Sequence, residues 1–204
     1  AKGYKEATAI SGGQSVPEVG GGVCQPSSTL YMAVLRADLE VTERHNHSFT
    51  VAYTPLGEDA TVSLGGPDFR FKNNTKYPVK IVASQSGSSC NMKLIGTKTS
   101  DKKVSLKTEI LSTLDYETVE KTDSSLSPGE RKTSQSGTTG YKTVTYKTIT
   151  ENGQSKTVKA NTSSYKKRDK IVLVGPAAAS PSTDSPSDGQ ADTQGSAGAD
   201  PEAQ

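Results

Sequence analysis

The stretch GGGVCQPSSTLYMAVLRADL, residues 20–39, decides the fold of the N-terminal part of the chain. Its apolar residues recur at the i, i+3, i+4 and i+7 spacing of one helix face, at Leu30, Ala33, Val34 and Ala37. Pro26 suits the first turn of a helix, where a backbone N–H would have no intrahelical partner. The sequence therefore predicts one helix here, with Cys24 at or just before its N-terminus.

Short alternating segments follow this helix. Apolar residues alternate with polar or small ones in segments 49–53, 60–64, 69–71, 79–83 and 92–96. A period of two residues is the pattern of a half-buried β-strand. We therefore expect residues 1–96 to form an α+β domain in which one helix packs on an antiparallel sheet.

The next segment, residues 97–175, is rich in Thr, Lys, Ser and Tyr and poor in apolar side chains. Asn152-Gly153 separates two alternating runs, which is a strong β-hairpin signal because both turn residues need a positive φ. The run KIVLVG at residues 170–175 is typical of a closing strand. We expect an elongated all-β module with a thin core.

Composition separates a third segment from the rest. Residues 176–204 contain no Val, Ile, Leu, Met or aromatic residue, and all five of their charged side chains are acidic. Such a segment cannot bury enough apolar area to offset its ordering entropy, so we expect a disordered tail. The remaining 175 residues carry a net charge of +7, which favours an anionic polymer as partner. They have no basic stripe interleaved with aromatic residues, which argues against nucleic acid.

Several classes of protein are excluded by what the sequence lacks. No run of 18 apolar residues and no signal peptide is present. Two cysteines exclude a disulfide-rich scaffold and a four-thiolate zinc site. The chain does not begin with Met, so we expect a fragment, with any membrane contact made through an anchor outside it.

A family resemblance rests on linked motifs in the first segment: Gly20–Gln25, Ser28–Tyr31, Glu43-Arg44, His47-Ser48, Gly57–Val62 and Asp68–Asn73. From about Gly3 to Gly96 this pattern resembles the VanW-like family, which is named after an accessory protein of vancomycin-resistance clusters. The family pattern normally begins further upstream. The resemblance therefore implies an N-terminally truncated domain, and it supplies no biochemical activity.

The second segment carries five glycines at spacings that resemble the G-five domain: Gly129, Gly137, Gly140, Gly153 and Gly175. A VanW-like domain followed by this module is familiar in exported proteins of Gram-positive bacteria. The pair implies an extracellular location, in the cell wall or at the outer face of the cytoplasmic membrane. It also implies peptidoglycan or another wall polymer as partner, with N-acetylglucosamine-containing glycan bound by the G-five domain.

Cys24 is the sharpest candidate for chemistry. A helix N-terminus presents free N–H groups and a partial positive charge, and both stabilise a thiolate. His47 and Asp59 follow in the order that papain- and transglutaminase-like enzymes use. We therefore predict a catalytic unit of Cys24, His47 and Asp59, supported by Gln25 and Arg44. Arg44 would either orient a carboxylate or pair with a nearby acid.

Three other interpretations of Cys24 remain open. It could pack as a small buried residue, or it could form a disulfide with Cys90, which an exported compartment permits. His45 and His47 alternate, so in a strand they would share one face, and with Cys24 or Asp59 they could hold zinc. No cysteine or histidine motif supports a metal site, and we expect neither a metal nor a cofactor.

Four tyrosines are candidate sugar platforms in the second segment: Tyr116, Tyr141, Tyr146 and Tyr165. A tyrosine offers an apolar ring with a polar tip, which suits stacking on a sugar. The same residues could instead brace a thin sheet core.

Three functions compete at this point. The chain could be a wall-associated protein of unassigned chemistry that holds glycan, or a Cys24-dependent hydrolase or transpeptidase acting on peptidoglycan peptide bonds. It could also be a structural spacer. The reactivity of the Cys24 thiol separates the enzyme from the other two.

Overall fold

The computed structural model describes residues 3–11 and 14–177, and this part of the chain is mostly β-structure with one helix, α1 (Cys24–Arg36). The predicted disordered tail lies outside the described residues from residue 178 onward. The strands are β1 (Glu6–Ser11), β2 (Gln14–Val19), β3 (Glu40–Glu43), β4 (Arg70–Lys72), β5 (Lys80–Ser86), β6 (Ser89–Ile95), β7 (Lys103–Leu114), β8 (Thr118–Thr122), β9 (Arg131–Gln135), β10 (Gly140–Glu151), β11 (Gln154–Tyr165) and β12 (Lys170–Val174).

The helix begins at Cys24, as the sequence predicts. Its buried side chains are Ser28, Tyr31, Val34 and Leu35. The buried face of the helix is therefore rotated by one residue relative to the predicted face. Tyr31 and Leu35 form the centre of the core together with Ala60. Leu106 and Ala160 of the second segment pack against the same cluster, so the core extends across both segments.

The first segment has no continuous sheet among the described residues. Its strands pair as three separate two-stranded antiparallel ladders, β1 with β2, β3 with β4, and β5 with β6. The α+β description therefore holds only in its coarse form, a helix among β-strands. The predicted strands at 49–53 and 60–64 are wrong, because residues 44–69 run between β3 and β4 without a strand.

Side chains take the place of a ladder in this long connection. Ser28 Oγ accepts a hydrogen bond from Ala60 N–H at 3.0 Å and donates one to Ala60 O at 3.2 Å. Gly57 N–H donates to the Tyr165 hydroxyl at 2.8 Å. At Ala60 and Gly57, side chains take the place of a paired strand as partners of the backbone, so alternation in sequence does not produce a strand here.

The second segment forms two three-stranded sheets, ordered β11-β10-β7 and β8-β12-β9. The predicted hairpin is confirmed, with φ of 51° at Asn152 and 74° at Gly153 between β10 and β11. The closing strand is also confirmed as β12, which pairs in parallel with β8 and antiparallel with β9. Buried positions on β10 include Thr143 and Thr145, so part of the thin core is polar.

The two segments share polar contacts as well as the core. Asp38 has a φ of 55°, a left-handed conformation that favours glycine. Its carboxylate forms ion pairs with two lysines of the second segment, with Lys102 Nζ 2.8 Å from Oδ2 and Lys147 Nζ 2.6 Å from Oδ1. Lys166 N–H donates to Ser48 O at 2.7 Å, at the other end of the same interface.

Candidate active site

Cys24 opens helix α1 with its thiol against the segment that follows Ala60. The thiol donates to Val62 O at 3.3 Å, and Val62 N–H lies 3.5 Å from Sγ as a donor. Thr61 Oγ1 is 3.4 Å from the same sulfur. The helix start and the connection 44–69 therefore hold the sulfur between them, half-buried and surrounded by hydrogen-bonding groups.

His47 and Asp59 form a close pair beside this thiol. Asp59 Oδ2 accepts from both His47 Nδ1 and the His47 backbone N–H, each at 2.7 Å. With Nδ1 engaged by Asp59, Nε2 lies 3.0 Å from Tyr53 Oη, and the ring also interacts with the Cys24 thiol. The backbone and side-chain contacts together fix the ring orientation, which is the role of a carboxylate behind a catalytic imidazole.

Asp59 is held by donors on both carboxylate oxygens, and only 1% of the residue is exposed. Oδ1 accepts from Arg44 Nη2 at 2.8 Å and from the Tyr165 hydroxyl at 2.6 Å. Arg44 Nε also donates to the Asp59 carbonyl at 2.6 Å, and its side chain is 6% exposed. Charge-assisted bonds in such a buried site are strong and geometrically restrictive.

The pKa values follow from these contacts. Burial raises the pKa of Cys24, but hydrogen bonds from His47, Thr61 and Val62 N–H and the imidazolium charge outweigh burial and lower the pKa to about 7. Burial lowers the pKa of His47, but the bond to Asp59 and the neighbouring thiolate raise the pKa to about 9. Burial also opposes ionisation of Asp59, yet His47, Tyr165 and Arg44 hold the pKa of its carboxyl below the usual value.

These directions describe a thiolate–imidazolium pair. Between about pH 7 and 9 the Cys24 thiol is deprotonated, whereas the His47 ring still carries a proton on both nitrogens. A thiolate is the nucleophilic form of cysteine, and an adjacent imidazolium can protonate a leaving group. The arrangement can therefore carry out nucleophilic attack followed by proton transfer.

The two predicted supporting residues differ in where they lie. Arg44 pairs with Asp59 and also lies over the Tyr31 ring, with its guanidinium carbon 5.3 Å from the ring centroid. Gln25 points elsewhere, since its Nε2 donates to Ser88 O at 3.3 Å in the turn between β5 and β6. The side chain of Gln25 therefore does not support the Cys24 thiol directly.

The alternatives for Cys24 are decided by the same geometry. Cys24 and Cys90 are both free thiols, so the disulfide interpretation is wrong for this structure. His45 does not join the site, because its Nε2 lies 3.4 Å from Glu43 Oε1 on an exposed side chain. Within residues 3–11 and 14–177, no group of three or more potential ligand residues could hold a metal ion.

One of the four predicted sugar platforms is wrong. Tyr165 is 3% exposed and donates to Asp59, so its ring has no free face for a sugar. Tyr116 is 42% exposed and packs beside Gly137. Tyr141 and Tyr146 are half-buried on β10. These three remain candidates for glycan contact.

An open groove of about 480 Å³ lies beside the start of the helix. Gly22, Gln25 and Pro26 line one side, and residues from the range 83–92 of the β5–β6 hairpin line the other. None of the described residues that line the groove is charged. Its lining includes Gly22 and Gln25, which are close to Cys24 in the chain, but not Cys24 itself.

Family comparisons agree with this architecture. The profile of the family described as "VanW like protein" matches residues 1–95, and that of the G5 domain matches residues 102–177.

The chain carries a VanW-like domain followed by a G5 domain.

Two curated relatives resemble this chain. It is 52% identical over 88 residues to the uncharacterized protein YoaR of Bacillus subtilis (strain 168), a match that covers 43% of this chain and 29% of YoaR. It is 30% identical over 83 residues to the vancomycin B-type resistance protein VanW of Enterococcus faecalis (strain ATCC 700802 / V583), covering 38% of this chain and 30% of VanW. The matched region thus spans less than a third of either relative.

Solved structures resemble the G5 part more distantly. The IgA1 protease G5 domain is 17% identical with a TM-score of 0.26, covering 39% of this chain and 98% of that one. The G5 domain of HP0197 is 19% identical with a TM-score of 0.21, covering 37% of this chain and 100% of that one.

Among residues 3–11 and 14–177, no helix has the length and apolar character of a membrane-spanning segment.

Two side-chain contacts of the candidate site, Tyr53 with His47 and Thr61 with Cys24, are not predicted by the sequence. Tyr53 was assigned to a strand, but its hydroxyl meets His47. Thr61 lies inside the motif Gly57–Val62 that carries the VanW-like resemblance, and this motif was the one available signal that the segment borders Cys24. A side chain's distant partner leaves no local periodicity, so neither contact was predictable from spacing.

Proposed function

We propose that the VanW-like domain is a cysteine-dependent acyl-transfer enzyme that acts on peptide bonds of peptidoglycan, as a hydrolase or a transpeptidase. The observation that carries this proposal is the buried Asp59–His47 pair placed beside a half-buried thiol at a helix N-terminus. Its 2.7 Å contact holds the imidazole, and the lowered pKa of the Cys24 thiol supports a nucleophilic thiolate.

The reaction has two steps. The Cys24 thiolate attacks the carbonyl carbon of the scissile amide, and the His47 imidazolium gives its Nε2 proton to the departing amine, leaving a thioester. Neutral His47 then takes a proton from water or from a second amine as that nucleophile attacks the thioester. The thiolate leaves, and the product is a carboxylic acid or a new amide.

The start of the helix suits the charge that develops on the carbonyl oxygen. Pro26 has no N–H, and the N–H groups of Gln25 and Ser27 donate to Gly22 O and Val23 O. Cys24 N–H lies at the positive end of the helix dipole and is the proposed oxyanion donor.

The groove at the start of helix α1, lined by Gly22, Gln25 and Pro26, is the proposed binding surface for the stem peptide. Its uncharged lining offers amide and hydroxyl groups from Gln25, Gln85 and Ser88 with apolar surface from Pro26 and Met92. A few polar groups on a mostly apolar wall are typical of a site that orients a peptide-like ligand.

The proposed location is the cell wall. The similarity to the vancomycin B-type resistance protein VanW supports a role in wall metabolism, and the G5 domain supports attachment to N-acetylglucosamine-containing glycan. In this scheme the G5 domain keeps the enzyme at its insoluble substrate.

Thiol alkylation tests the nucleophile. Iodoacetamide is expected to label Cys24 with a pH midpoint of about 7, against the ordinary value of 9.0. In His47→Ala the midpoint should move upward, because the ring's hydrogen bond and charge are lost. Labelling of Cys24 at pH 7 should then fall about fivefold, since the lower thiolate fraction is partly offset by a more basic sulfur.

Cys90 serves as the internal reference in the same labelled protein, with site occupancy read by peptide mass spectrometry. An ordinary midpoint for Cys24 in the unmodified protein, or a midpoint unaffected by His47→Ala, contradicts the proposal.

Wall attachment has its own test. Tyr116→Ser should weaken co-sedimentation with purified peptidoglycan by up to about tenfold, because one aromatic stacking contact is lost. Tyr77→Ser is the matched control, since Tyr77 is similarly exposed, at 46%, but lies in the VanW-like domain. Equal binding by Tyr116→Ser and Tyr77→Ser would remove Tyr116 from the glycan surface.

A further inference from the structure

Strand β11 of the G5 domain lies against the connection that carries His47 and Asp59. The Tyr165 hydroxyl donates to Asp59 Oδ1 at 2.6 Å and accepts from Gly57 N–H at 2.8 Å. Two positions earlier on the strand, Ser163 Oγ accepts from Arg44 Nη1 at 2.9 Å. Both charged residues behind His47 thus have a partner from the other domain.

Asn161 extends the same row of contacts, since alternate residues of a strand share one face. Its Nδ2 donates to the Tyr31 hydroxyl and to Gly57 O, each at 2.8 Å, while its Oδ1 accepts from Ser163 at 3.1 Å. The strand therefore binds the helix α1 core and the His47–Asp59 connection at once.

The row is buried as well as bonded. Ser163 is 1% exposed and Tyr165 is 3% exposed, so water does not replace their hydroxyl groups if these are removed. A buried carboxylate or guanidinium that loses a partner stays unsatisfied or changes position.

We propose that the G5 domain completes the active site, with Tyr165 and Ser163 as positioning residues that hold Asp59 and Arg44 behind His47. This inference rests on the proposed function of the VanW-like domain and adds a second role for the G5 domain. Neither hydroxyl touches the reacting atoms, and both act through the orientation of the Asp59 carboxylate.

The chemistry of the contact fits this role. With Oδ1 fixed by Tyr165 and Arg44, Oδ2 is the oxygen turned to His47. Burial and the Asp59 charge raise the pKa of Tyr165 to about 12, so the hydroxyl remains a donor throughout the range in which the thiolate–imidazolium pair exists.

The test is the pH profile of Cys24 alkylation in Tyr165→Phe, made in the full chain. The ring volume is kept and only the hydroxyl is lost, so Asp59 Oδ1 keeps one of its two donors, Arg44, and Asp59 holds His47 less firmly. The midpoint is expected to rise by about 0.5 to 1 pH unit. Tyr141→Phe is the matched control, because Tyr141 pairs with Tyr165 across β10 and β11, and its profile should be unchanged.

Ser163→Ala gives a second measurement if Tyr165→Phe does not fold. It removes the acceptor of Arg44 Nη1, and the midpoint should rise in the same direction by a smaller amount. A folded Tyr165→Phe or Ser163→Ala protein that keeps the low midpoint of the unmodified chain overturns the inference and leaves the proposed function standing. An ordinary midpoint in the unmodified chain overturns the proposed function and this inference with it.

Discussion

Turnover of peptidoglycan by Cys24→Ala is expected to fall by about 10⁴-fold, the scale seen when a member of a catalytic triad is removed. The substitution removes Sγ, the nucleophilic atom of the proposed reaction, which lies against Thr61 and Val62. The measurement is the release or exchange of stem-peptide residues from purified peptidoglycan, followed by mass spectrometry of the fragments.

Thr29→Ala is the control for this loss. Thr29 lies on the same helix, where its hydroxyl donates to Gln25 O at 2.8 Å, and its removal should leave turnover within about twofold. Turnover retained by Cys24→Ala would place the chemistry elsewhere in the chain. Equal loss in both variants would indicate damage to the helix and not to the nucleophile.

Asp59→Ala is expected to lower the free energy of unfolding by about 3–5 kcal/mol, because it leaves the buried Arg44 guanidinium without its counter-ion. The loss should depend on pH. The folded-state pKa of Asp59 is depressed, so its contribution is present above the unfolded value of about 3.9 and disappears as the pH falls through the lower folded value. Urea denaturation at pH 7 and in acid measures both, and the difference between variant and unmodified protein should shrink in acid.

Asp68→Asn is the matched control for this ion pair. Asp68 also pairs with an arginine, Arg70, at 3.0 Å, but both side chains are largely exposed. Solvent screens an exposed pair, so Asp68→Asn should leave the free energy of unfolding close to that of the unmodified protein. Similar losses at Asp59 and Asp68 would mean that burial does not control the strength of the Asp59 pair.

The sequence pattern predicted the helix start and the β-hairpin, which depend on interactions between residues close together in the chain. The helix spacing and Pro26 placed Cys24 at the helix start, and Asn152-Gly153 placed the hairpin, because each depends on residues within a few positions. The family motifs and the order of residue types named His47 and Asp59, and the structure brings them to the same thiol.

Long-range contacts set what the sequence could not predict. Segments 49–53 and 60–64 alternate like strands but form none, and in the latter the backbone N–H and carbonyl of Ala60 bond to Ser28 Oγ. Tyr165 was named as a sugar platform because its ring is aromatic, and only the fold shows that its hydroxyl meets Asp59. The buried helix face also shifted, since Tyr31 is positioned by Asn161 of a strand 130 residues away.

Asp59 and Tyr165 are 106 positions apart in the chain, so Asp59 is synthesised before the tyrosine that donates to it. A chain is made from its N-terminus at about 5–20 residues per second, so roughly 5 to 20 seconds of synthesis separate the carboxylate from its phenol donor. During that interval the helix and its thiol already exist, while strand β11 does not. If Tyr165 positions Asp59 as proposed, the cysteine reaches its full reactivity only once the second domain has been made and has docked.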